Sequence, residues 1–217
     1  MEGFPPRCYD NLMAQPPGGT ASVSTIDPIW APLYEEVADC PRCPLARTRS
    51  RTVPGAGPAA ADIMLIGEAP GAREDDLGVP FVGPAGKFLD ELLAGIGLSR
   101  EAVYIANVVK CRPPGNRDPE PNKIEACADY LDRQITMVDP RVIVTLGRFS
   151  MARWFPGQTI ARIHGKAMRA EGRMIVPMYH PAAALHNGSL RSVIEADFAT
   201  LPGLIAQAAT SAPEAVR

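Results

Sequence analysis

The pattern that decides the fold lies in residues 61–97, with the sequence ADIMLIGEAPGAREDDLGVPFVGPAGKFLDELLAGIG. It begins with an unbroken apolar run at residues 63–66, which is typical of a strand buried on both faces. The turn GEAPG (67–71) ends this strand, and an acidic loop leads to a helix predicted over residues 84–97. Open α/β sheets bind ligands at the carboxyl ends of their strands. We therefore predict an α/β protein with a ligand site beside this turn.

Two other interpretations of the segment compete with a ligand site. Residues 83–87 (GPAGK) look like a phosphate loop, but Phe81 and Phe88 stand where that motif requires glycine and serine or threonine. The acidic residues 74–76 are also compatible with a solvated surface turn, because acids, proline and glycine are common in turns. The segment by itself leaves the surface-turn interpretation open.

Composition narrows the class of protein. A chain of 217 residues fits one domain, and its 46% apolar content is that of a globular protein. The net charge of −2 provides no overall field that attracts nucleic acid, so any contact with DNA must be local. Residues 1–25 lack the apolar core of a signal peptide, and no apolar run is long enough to cross a membrane. We expect a cytoplasmic monomer.

The two ends of the chain differ in composition from its centre. Residues 1–27 are rich in proline, glycine, serine and threonine, so we predict a disordered tail there. Cys8 lies in this tail and is interpreted as incidental, with redox sensing or intermolecular pairing as the alternative. The folded domain is predicted over residues 28–206, and residues 207–217 are predicted to be a frayed tail.

Four apolar runs are predicted to be strands, and helical spacing of apolar residues predicts helices between them. The predicted strands are residues 63–66, 103–109, 142–147 and 174–179. Besides the helix at 84–97, helices are predicted at about 28–37, 124–135, 149–155 and 189–206. This order predicts a central, mainly parallel four-stranded sheet covered by helices.

Four of the five cysteines are spaced like ligands of a metal centre. Cys40 and Cys43 form a C-x2-C pair, and Cys111 and Cys127 follow further along the chain. Disulfides are disfavoured in a reducing compartment, and buried unliganded thiols do not explain a pair flanked by prolines. Four thiolates suit either zinc or a cubic iron–sulfur cluster, and the spacing does not separate these two.

Polar residues at the ends of two predicted strands are candidates for the ligand site. His180 follows the fourth strand directly, beside the expected ligand crevice. Asn107 is the one strongly polar residue of the second strand, and it either bonds the backbone at the strand end or reads a base with its amide. The other two histidines, His164 and His186, are expected to be solvated.

Five features together resemble the family 4 uracil-DNA glycosylases. They are GEAPG from Gly67, PFVG from Pro80, Asn107 before Lys110-Cys111, the four-cysteine spacing, and HPAAAL from His180. The resemblance covers residues 40–198. It implies a three-layer α/β/α domain that removes uracil from single- or double-stranded DNA by hydrolysing the bond to deoxyribose. It also implies a 4Fe–4S cluster on Cys40, Cys43, Cys111 and Cys127.

The resemblance also implies roles for individual residues. Asn107 would match the ring NH and carbonyl of uracil, Phe81 would stack on the base, and Gly67 and Ala69 would complete the pocket floor. His180 would stabilise the charge that builds up on the departing base. Glu68 would orient water or stabilise the cationic sugar, while the related family 1 enzymes carry an aspartate where this chain has Ala69. Glu74 resembles the residue that excludes the methyl group of thymine.

Contacts with the DNA strand are expected from basic residues and one apolar side chain. Leu185 is a candidate wedge near the position that the base leaves. The candidate phosphate contacts are Arg148, Arg162, Lys166, Arg169 and Arg191. Scattered surface charge is the alternative interpretation for each of these five residues.

Two other functions remain compatible with these motifs. One is a noncatalytic iron–sulfur protein of the same fold that binds nucleic acid. The other is a glycosylase with a broader preference for deaminated bases, such as hypoxanthine.

Overall fold

The computed structural model describes residues 28–210. The strands are β1 (Ile63–Gly67), β2 (Tyr104–Asn107), β3 (Val142–Leu146), β4 (Met168–Ala170) and β5 (Arg173–Met178). The α-helices are α1 (Ala31–Ala38), α2 (Ala72–Leu77), α3 (Pro84–Gly95), α4 (Pro121–Val138), α5 (Arg148–Met151), α6 (Ile160–Ile163), α7 (Ala182–His186), α8 (Leu190–Ala199) and α9 (Leu201–Thr210). The predictions for residues 1–27, including Cys8, and for residues 211–217 lie outside the described range.

The strands form one sheet in the order β2-β1-β3-β5-β4. β1 pairs in parallel with β2 and β3, and β3 pairs in parallel with β5. The carboxyl ends of these four strands therefore meet at one edge of the sheet. The turns that leave β1, β2 and β5 carry the GEAPG, Asn107 and His180 segments, so the topology brings together three motifs that are far apart in sequence.

Helices cover both faces of the sheet. Side chains alternate along a strand, so β1 sends Leu65 to one face and Met64 to the other. On the first face the strands pack against apolar residues of α3, α8 and α9, including Phe88, Leu89, Leu93, Ile194, Phe198 and Leu201. On the second face they pack against residues of α1 and α4, including Leu33, Val37, Tyr130, Leu131 and Ile135. The predicted three-layer α/β/α arrangement is confirmed.

The sheet contains five strands where the sequence predicted four. The additional strand, β4, pairs antiparallel with β5 at the sheet edge. Glu171 and Gly172 join the two strands with φ values of 53° and 73°. Two consecutive left-handed residues are typical of the tight turn that connects twisted antiparallel strands. Arg169 in the middle of β4 is exposed and its two neighbours are only partly buried, which explains why β4 forms no apolar run in the sequence.

The acidic stretch after GEAPG is a helix, α2, and not the predicted loop. Asp75 lies on the inner side of α2 and is 2% exposed. Both of its carboxylate oxygens accept a hydrogen bond from the backbone N–H of Ser50 at 3.0 Å. The solvated-turn interpretation is therefore wrong for Asp75, which fixes the preceding segment against α2.

The final helical region also differs from its prediction. It is divided into α8 and α9, which meet at Thr200, and it continues to Thr210 instead of ending near residue 206. Ser189 does not cap α8 with its side chain, because its hydroxyl donates to Asn187 Oδ1 at 2.7 Å. Among the helices of residues 28–210, none has the length and apolar character needed to traverse a bilayer.

Candidate active site

A cavity of about 410 Å³ opens at the carboxyl edge of the sheet. The segments that follow β1, β2 and β5 line it. The predicted site residues in its wall are Glu68, Ala69, Glu74, Phe81, Asn107, His180 and Leu185. The structure therefore brings together residues from four of the five sequence features.

Gly67 packs closely against two residues of the cavity wall, although it does not line the cavity itself. It ends β1 and stands beside Asn107 in the parallel register of β1 and β2. A Cβ atom at Gly67 would lie 2.4 Å from Asn107 Oδ1 and 2.7 Å from Phe81 Cζ. A larger residue would displace both side chains, so glycine at this position is what allows the amide and the ring to adjoin.

Asn107 carries an acceptor that nothing in the described chain uses. The residue is 2% exposed, and its side-chain Oδ1 has no hydrogen-bond partner among residues 28–210. Leaving a buried acceptor unpaired costs about 1–3 kcal/mol. A ligand in the cavity with a suitably placed N–H would remove this cost, which favours the base-reading interpretation of Asn107 over a backbone-bonding one.

Phe81 lies beside His180 in the cavity wall. Its ring and the His180 ring are 5.4 Å apart between centroids, with 25° between their planes. The φ angle of Phe81 is 53°, in the left-handed region. This conformation costs a residue with a side chain on the order of 1–3 kcal/mol, and such residues are frequent at functional sites.

His180 is oriented by the backbone that follows it. Its Nδ1 accepts a hydrogen bond from the N–H of Ala182 at 3.1 Å. Burial lowers the pKa of His180 to about 4, although the charge of Glu74 opposes this change. The imidazole is therefore neutral at pH 7, and its proton is on Nε2 because Nδ1 is the acceptor. This leaves Nε2–H as a hydrogen-bond donor for a ligand.

Glu68 lies directly after β1, and its carboxyl group is partly withdrawn from water. Burial raises the pKa of Glu68 to about 7; the charge of Asp118 raises it further, and that of Arg148 lowers it. Asp118 and Arg148 themselves form an ion pair. The sequence showed no second acid beside Glu68, because Asp118 approaches it only through the loop after β2.

Glu74 uses one carboxylate oxygen to hold the loop before α3. Its Oε1 accepts hydrogen bonds from the N–H groups of Val82 and Gly83 at 2.9 and 2.8 Å. The side chain also lines the cavity, close enough to His180 to affect the pKa of the imidazole. Glu74 thus contributes both to the shape of the loop that carries Phe81 and to the wall of the cavity.

The arrangement of these motifs agrees with a comparison against known families. Residues 54–199 match the family described as the uracil DNA glycosylase superfamily. The chain belongs to the uracil DNA glycosylase superfamily. The resemblance inferred from the five sequence features is confirmed.

Several proteins named type-4 uracil-DNA glycosylase are similar to this member of the superfamily. The protein from Sulfurisphaera tokodaii is 48% identical over 176 residues, which cover 76% of this chain and 80% of that protein. The protein from Archaeoglobus fulgidus is 48% identical over 175 residues, covering 76% of this chain and 88% of that protein. The protein from Thermotoga maritima is 42% identical over 168 residues, covering 75% and 88%.

In this superfamily member, the loop after β2 contributes more to the cavity than the sequence indicated. Pro113, Asn116 and Arg117 line the cavity, and Asn116 has a φ angle of 54°. None of the five sequence features lies in this segment. Its position directly after a strand that ends in Asn107, together with a Gly-Asn pair, is the signal that could have identified it.

The two remaining histidines differ from each other in environment. His186 is exposed, as expected, and lies in the cavity wall. His164 was expected to be solvated, but this is wrong, since its Nδ1 lies 2.8 Å from Asp197 Oδ2 and its ring lies 4.8 Å from that of Tyr179. The contact joins residues 33 positions apart, so local sequence gave no sign of it.

The candidate DNA contacts fall into two groups. Leu185 is 52% exposed at the cavity, as a wedge would require. Arg148 pairs with Asp118, and Arg191 pairs with both Glu91 and Glu195. Within residues 28–210, the remaining candidates have no ion pair with a carboxylate; they are Arg162, Lys166 and Arg169.

The four predicted metal ligands are free cysteines that lie close enough to affect one another's pKa values. Cys40, Cys111 and Cys127 are buried, and Cys43 is partly exposed. Burial is the main reason that the pKa of the Cys111 thiol is raised to about 11; Arg49 opposes the increase, and the nearby Cys127 and Cys43 add to it. In the described part of the chain, no group of three or more His, Cys, Asp or Glu side chains is arranged to hold a single metal ion.

Two N–H groups point at these sulfurs. Arg49 Nη1 donates to Cys111 Sγ at 3.3 Å, and the backbone N–H of Lys110 donates to Cys127 Sγ at the same distance. Arg49 also donates to the Cys40 carbonyl at 2.8 Å, so it ties two of the cysteine segments together. Such donors stabilise sulfur atoms that carry negative charge.

Proposed function

We propose that the protein is a monofunctional uracil-DNA glycosylase of type 4, which releases uracil from DNA and leaves an abasic site for base excision repair. The observation that carries this proposal is the buried Oδ1 of Asn107, which has no hydrogen-bond partner within residues 28–210 and lies beside Phe81 in a cavity that His180 also lines. The relatives named type-4 uracil-DNA glycosylase support the same reaction. Membership of the superfamily supports hydrolysis as the type of chemistry.

The Asn107 amide provides the basis for choosing uracil. Its Oδ1 can accept from the ring N–H of uracil, while its NH2 group can donate to the adjacent carbonyl. Cytosine presents an unprotonated ring nitrogen and an amino group at these positions, so both hydrogen bonds are lost. In duplex DNA the base must first leave the stack, which costs a few kcal/mol. Stacking on Phe81 and pairing with Asn107 then offset part of that cost.

The neutral His180 can stabilise the departing base by donating a hydrogen bond to it. When the bond between C1′ of the sugar and N1 of uracil breaks, the electron pair remains on the base and spreads to its carbonyl oxygen. His180 Nε2–H donates a hydrogen bond to that oxygen and does not need to transfer its proton. Preorganised donors of this kind lower the activation barrier by about 3–4 kcal/mol.

Glu68 is proposed to act on the sugar side of the bond. Its carboxylate orients the water that adds to C1′, or stabilises the positive charge on the sugar ring. The water gives up its proton as the new C–O bond forms, and uracil is protonated after it departs. A pKa near 7 means that the ionised form required for either role is populated at neutral pH.

The four cysteines fit a 4Fe–4S cluster by the chemistry of their donor set. We propose that Cys40, Cys43, Cys111 and Cys127 hold it, with the Arg49 and Lys110 N–H groups stabilising the ligand sulfurs. The cluster would supply cross-links between the end of α1, the loop after β2 and α4. The proposed reaction residues include none of these cysteines, so its role is structural.

The biological setting follows from the substrate. The proposed partners are uracil-containing DNA, single- or double-stranded, and the protein is proposed to act as a monomer in the cytoplasm, where the nucleoid lies. Glu74 remains the candidate for excluding the methyl group of thymine.

An incision assay tests this function. The protein is incubated with oligonucleotides that carry one uracil, hypoxanthine or thymine mispair, and abasic sites are then cleaved with alkali. We expect cleavage at uracil and none at thymine; cleavage at hypoxanthine would indicate the broader specificity. A folded Asn107→Ala variant should lose uracil excision. Binding of DNA without any strand cleavage after alkali would favour the noncatalytic alternative and contradict the proposal.

A further inference from the structure

The backbone carbonyl of Phe81 is enclosed by Gly86 and Arg100. A Cβ atom at Gly86 would lie 1.9 Å from this carbonyl oxygen, so only glycine at that position of α3 allows the oxygen to lie there. Arg100 donates a hydrogen bond to the same oxygen from Nη2 at 2.7 Å. The carbonyl is therefore packed against α3 and bonded to a cation.

Arg100 reaches this position because a second residue holds it. Its Nε donates to Asp90 Oδ1 at 2.9 Å, and Asp90 belongs to α3. Arg100 itself lies in the 3-10 turn just before β2. The pair thus connects the entry of one sheet strand to the helix that follows Phe81. A partly exposed ion pair adds little stability alone, so its effect here is mainly to orient the guanidinium.

The other side of the turn is held by Glu74, which accepts the N–H groups of Val82 and Gly83. Phe81 is consequently fixed from two directions in a left-handed conformation that a phenylalanine alone would not favour. In this conformation the Phe81 ring lies over Gly67 and faces His180. Release of the carbonyl would allow the backbone to relax and the ring to leave this place.

We propose that Arg100, oriented by Asp90, is a positioning residue that fixes the Phe81 ring as the plane on which an extruded uracil stacks. Arg100 and Asp90 are not among the residues that line the cavity, so their effect on excision must pass through Phe81. This inference rests on the proposed glycosylase function for its kinetic consequence. Its structural consequence is independent of that function.

A double-mutant cycle tests the kinetic consequence. Single-turnover rates on a uracil oligonucleotide are measured for Arg100→Met, Phe81→Ala and the double variant. We expect Arg100→Met to slow excision on the order of tenfold, as loss of a hydrogen bond to a charged group would. Phe81→Ala should slow it by roughly 10- to 100-fold through loss of stacking. The double variant should be no slower than Phe81→Ala, because Arg100 has nothing left to position.

Arg153→Met is the matched control, since Arg153 also forms an ion pair, with Asp132, but far from Phe81 in sequence. It should keep the wild-type rate. Asp90→Asn is the second variant if Arg100→Met fails to fold. We expect Asp90→Asn to slow excision less than Arg100→Met does, and to cause no further loss of rate when it is combined with Phe81→Ala. Multiplicative losses in the double variants, or an Arg100→Met rate within twofold of wild type, would overturn the proposal.

Amide hydrogen exchange tests the structural consequence without any reaction. In Arg100→Met, the peptide containing Val82 and Gly83 should exchange on the order of tenfold faster, while peptides from β1 and β3 stay unchanged. Arg153→Met should show no change in the first peptide. Unchanged exchange there in Arg100→Met would overturn the positioning role even if the protein excises uracil, and faster exchange would support it even if another base is the substrate.

Discussion

At the scale of single residues, the site depends on where hydrogen-bond donors and acceptors are left without partners. Among residues 28–210, no group bonds the buried Oδ1 of Asn107; the Ala182 N–H bonds Nδ1 of His180, so the imidazole proton is on Nε2. Glu68 has a raised pKa because its carboxyl is partly buried near Asp118. These three side chains therefore differ in what they can offer a ligand, and each difference can be tested by substitution.

Replacing the amide of Asn107 should alter the choice of base. Asn107→Asp should slow uracil excision, because the carboxylate cannot donate to the uracil carbonyl. At lower pH the buried carboxyl becomes protonated and can both donate to and accept from the edge of cytosine. Protonation of Glu68 slows excision over the same interval, so cytosine excision by Asn107→Asp is measured relative to uracil excision by the wild-type protein at each pH. This ratio should rise as the pH falls from 8 to 5. Asn107→Ala is the control, and cytosine cleavage by that variant would contradict the assignment.

Removing the two ionisable side chains should slow excision by different amounts. His180→Ala should reduce the single-turnover rate by about 100- to 1,000-fold, the range for loss of one oxyanion donor. Glu68→Gln should reduce it less if the carboxylate mainly orients water, and more if it stabilises the charge on the sugar. We expect the first order of effects. A His180→Ala rate within a few-fold of wild type, with folding confirmed by thermal unfolding, would remove the imidazole from the mechanism.

The pH dependence should follow the pKa of Glu68. The carboxyl group ionises as the pH rises through about 7, so the single-turnover rate should rise over the same interval and then level off. His180 has a pKa of about 4 and stays neutral from pH 5 upward, so it should add no second inflection. Glu68→Gln should abolish the inflection near pH 7, and persistence of that inflection would show that another group titrates.

At the scale of elements, the segment that leaves β2 joins the candidate site to the cysteines. Asn107 ends β2, and Lys110, 1% exposed, donates from Nζ to the Asn107 carbonyl at 2.8 Å and to Gln134 Oε1 at 2.6 Å. Gln134 lies on α4, which also carries Cys127. Asn107 and two of the proposed cluster ligands, Cys111 and Cys127, are therefore linked through β2, the segment that follows it and α4.

Loss of a proposed cluster ligand should affect folding before it affects kinetics. The purified protein should be brown, contain about four irons, and absorb near 400 nm until acid removes the cluster. Cys127→Ala should lower iron content and soluble yield, because α4 loses its link to the β2 loop. Cys8→Ser should retain full iron and serves as the control. Stoichiometric zinc without iron in protein purified intact would rule the cluster out.

At the scale of the whole molecule, the ion pairs of the basic residues bear on the binding of DNA. The net charge is −2, and two of the candidate phosphate contacts, Arg148 and Arg191, already pair with carboxylates. A phosphate must displace these carboxylates before it can bind. Arg162 and Arg169 have no such partner within residues 28–210, so their contacts with DNA would need no ion pair to break.

Salt dependence should separate these two groups of arginines. Each phosphate contact that is lost should lower the slope of log Kd against log salt concentration by about 0.7–0.9. We expect Arg169→Gln to produce a change of that size and Arg191→Gln to produce a smaller one. Binding is measured on a catalytically slowed His180→Ala background to prevent turnover. A larger change for Arg191→Gln would show that DNA displaces its carboxylate partners.

Local sequence was sufficient for the elements whose residues are all buried or show a helical apolar stripe. The predicted strands at β1, β3 and β5 and the helices α3 and α4 lie where periodicity placed them, within a few residues. The three motifs at the cavity could also be found, because each follows a recognisable strand. Burial on both faces leaves an apolar run in the sequence, so this information is contained in short segments.

Only the tertiary structure decided how distant segments approach one another. Four interactions join residues that share no local sequence pattern. They are the pairing of β4 with β5, the hydrogen bond between Asp75 and Ser50, the approach of Asp118 to Glu68, and the hydrogen bond from Arg100 to the Phe81 carbonyl. A hydrogen bond between side chain and backbone depends on distances set by the packing of the whole sheet. The sequence alone thus determined the buried strands, the amphipathic helices and the motifs at the cavity, because each has a local pattern. Packing determined the edge strand β4 and the protonation, orientation and support of the site residues, because these depend on distant segments.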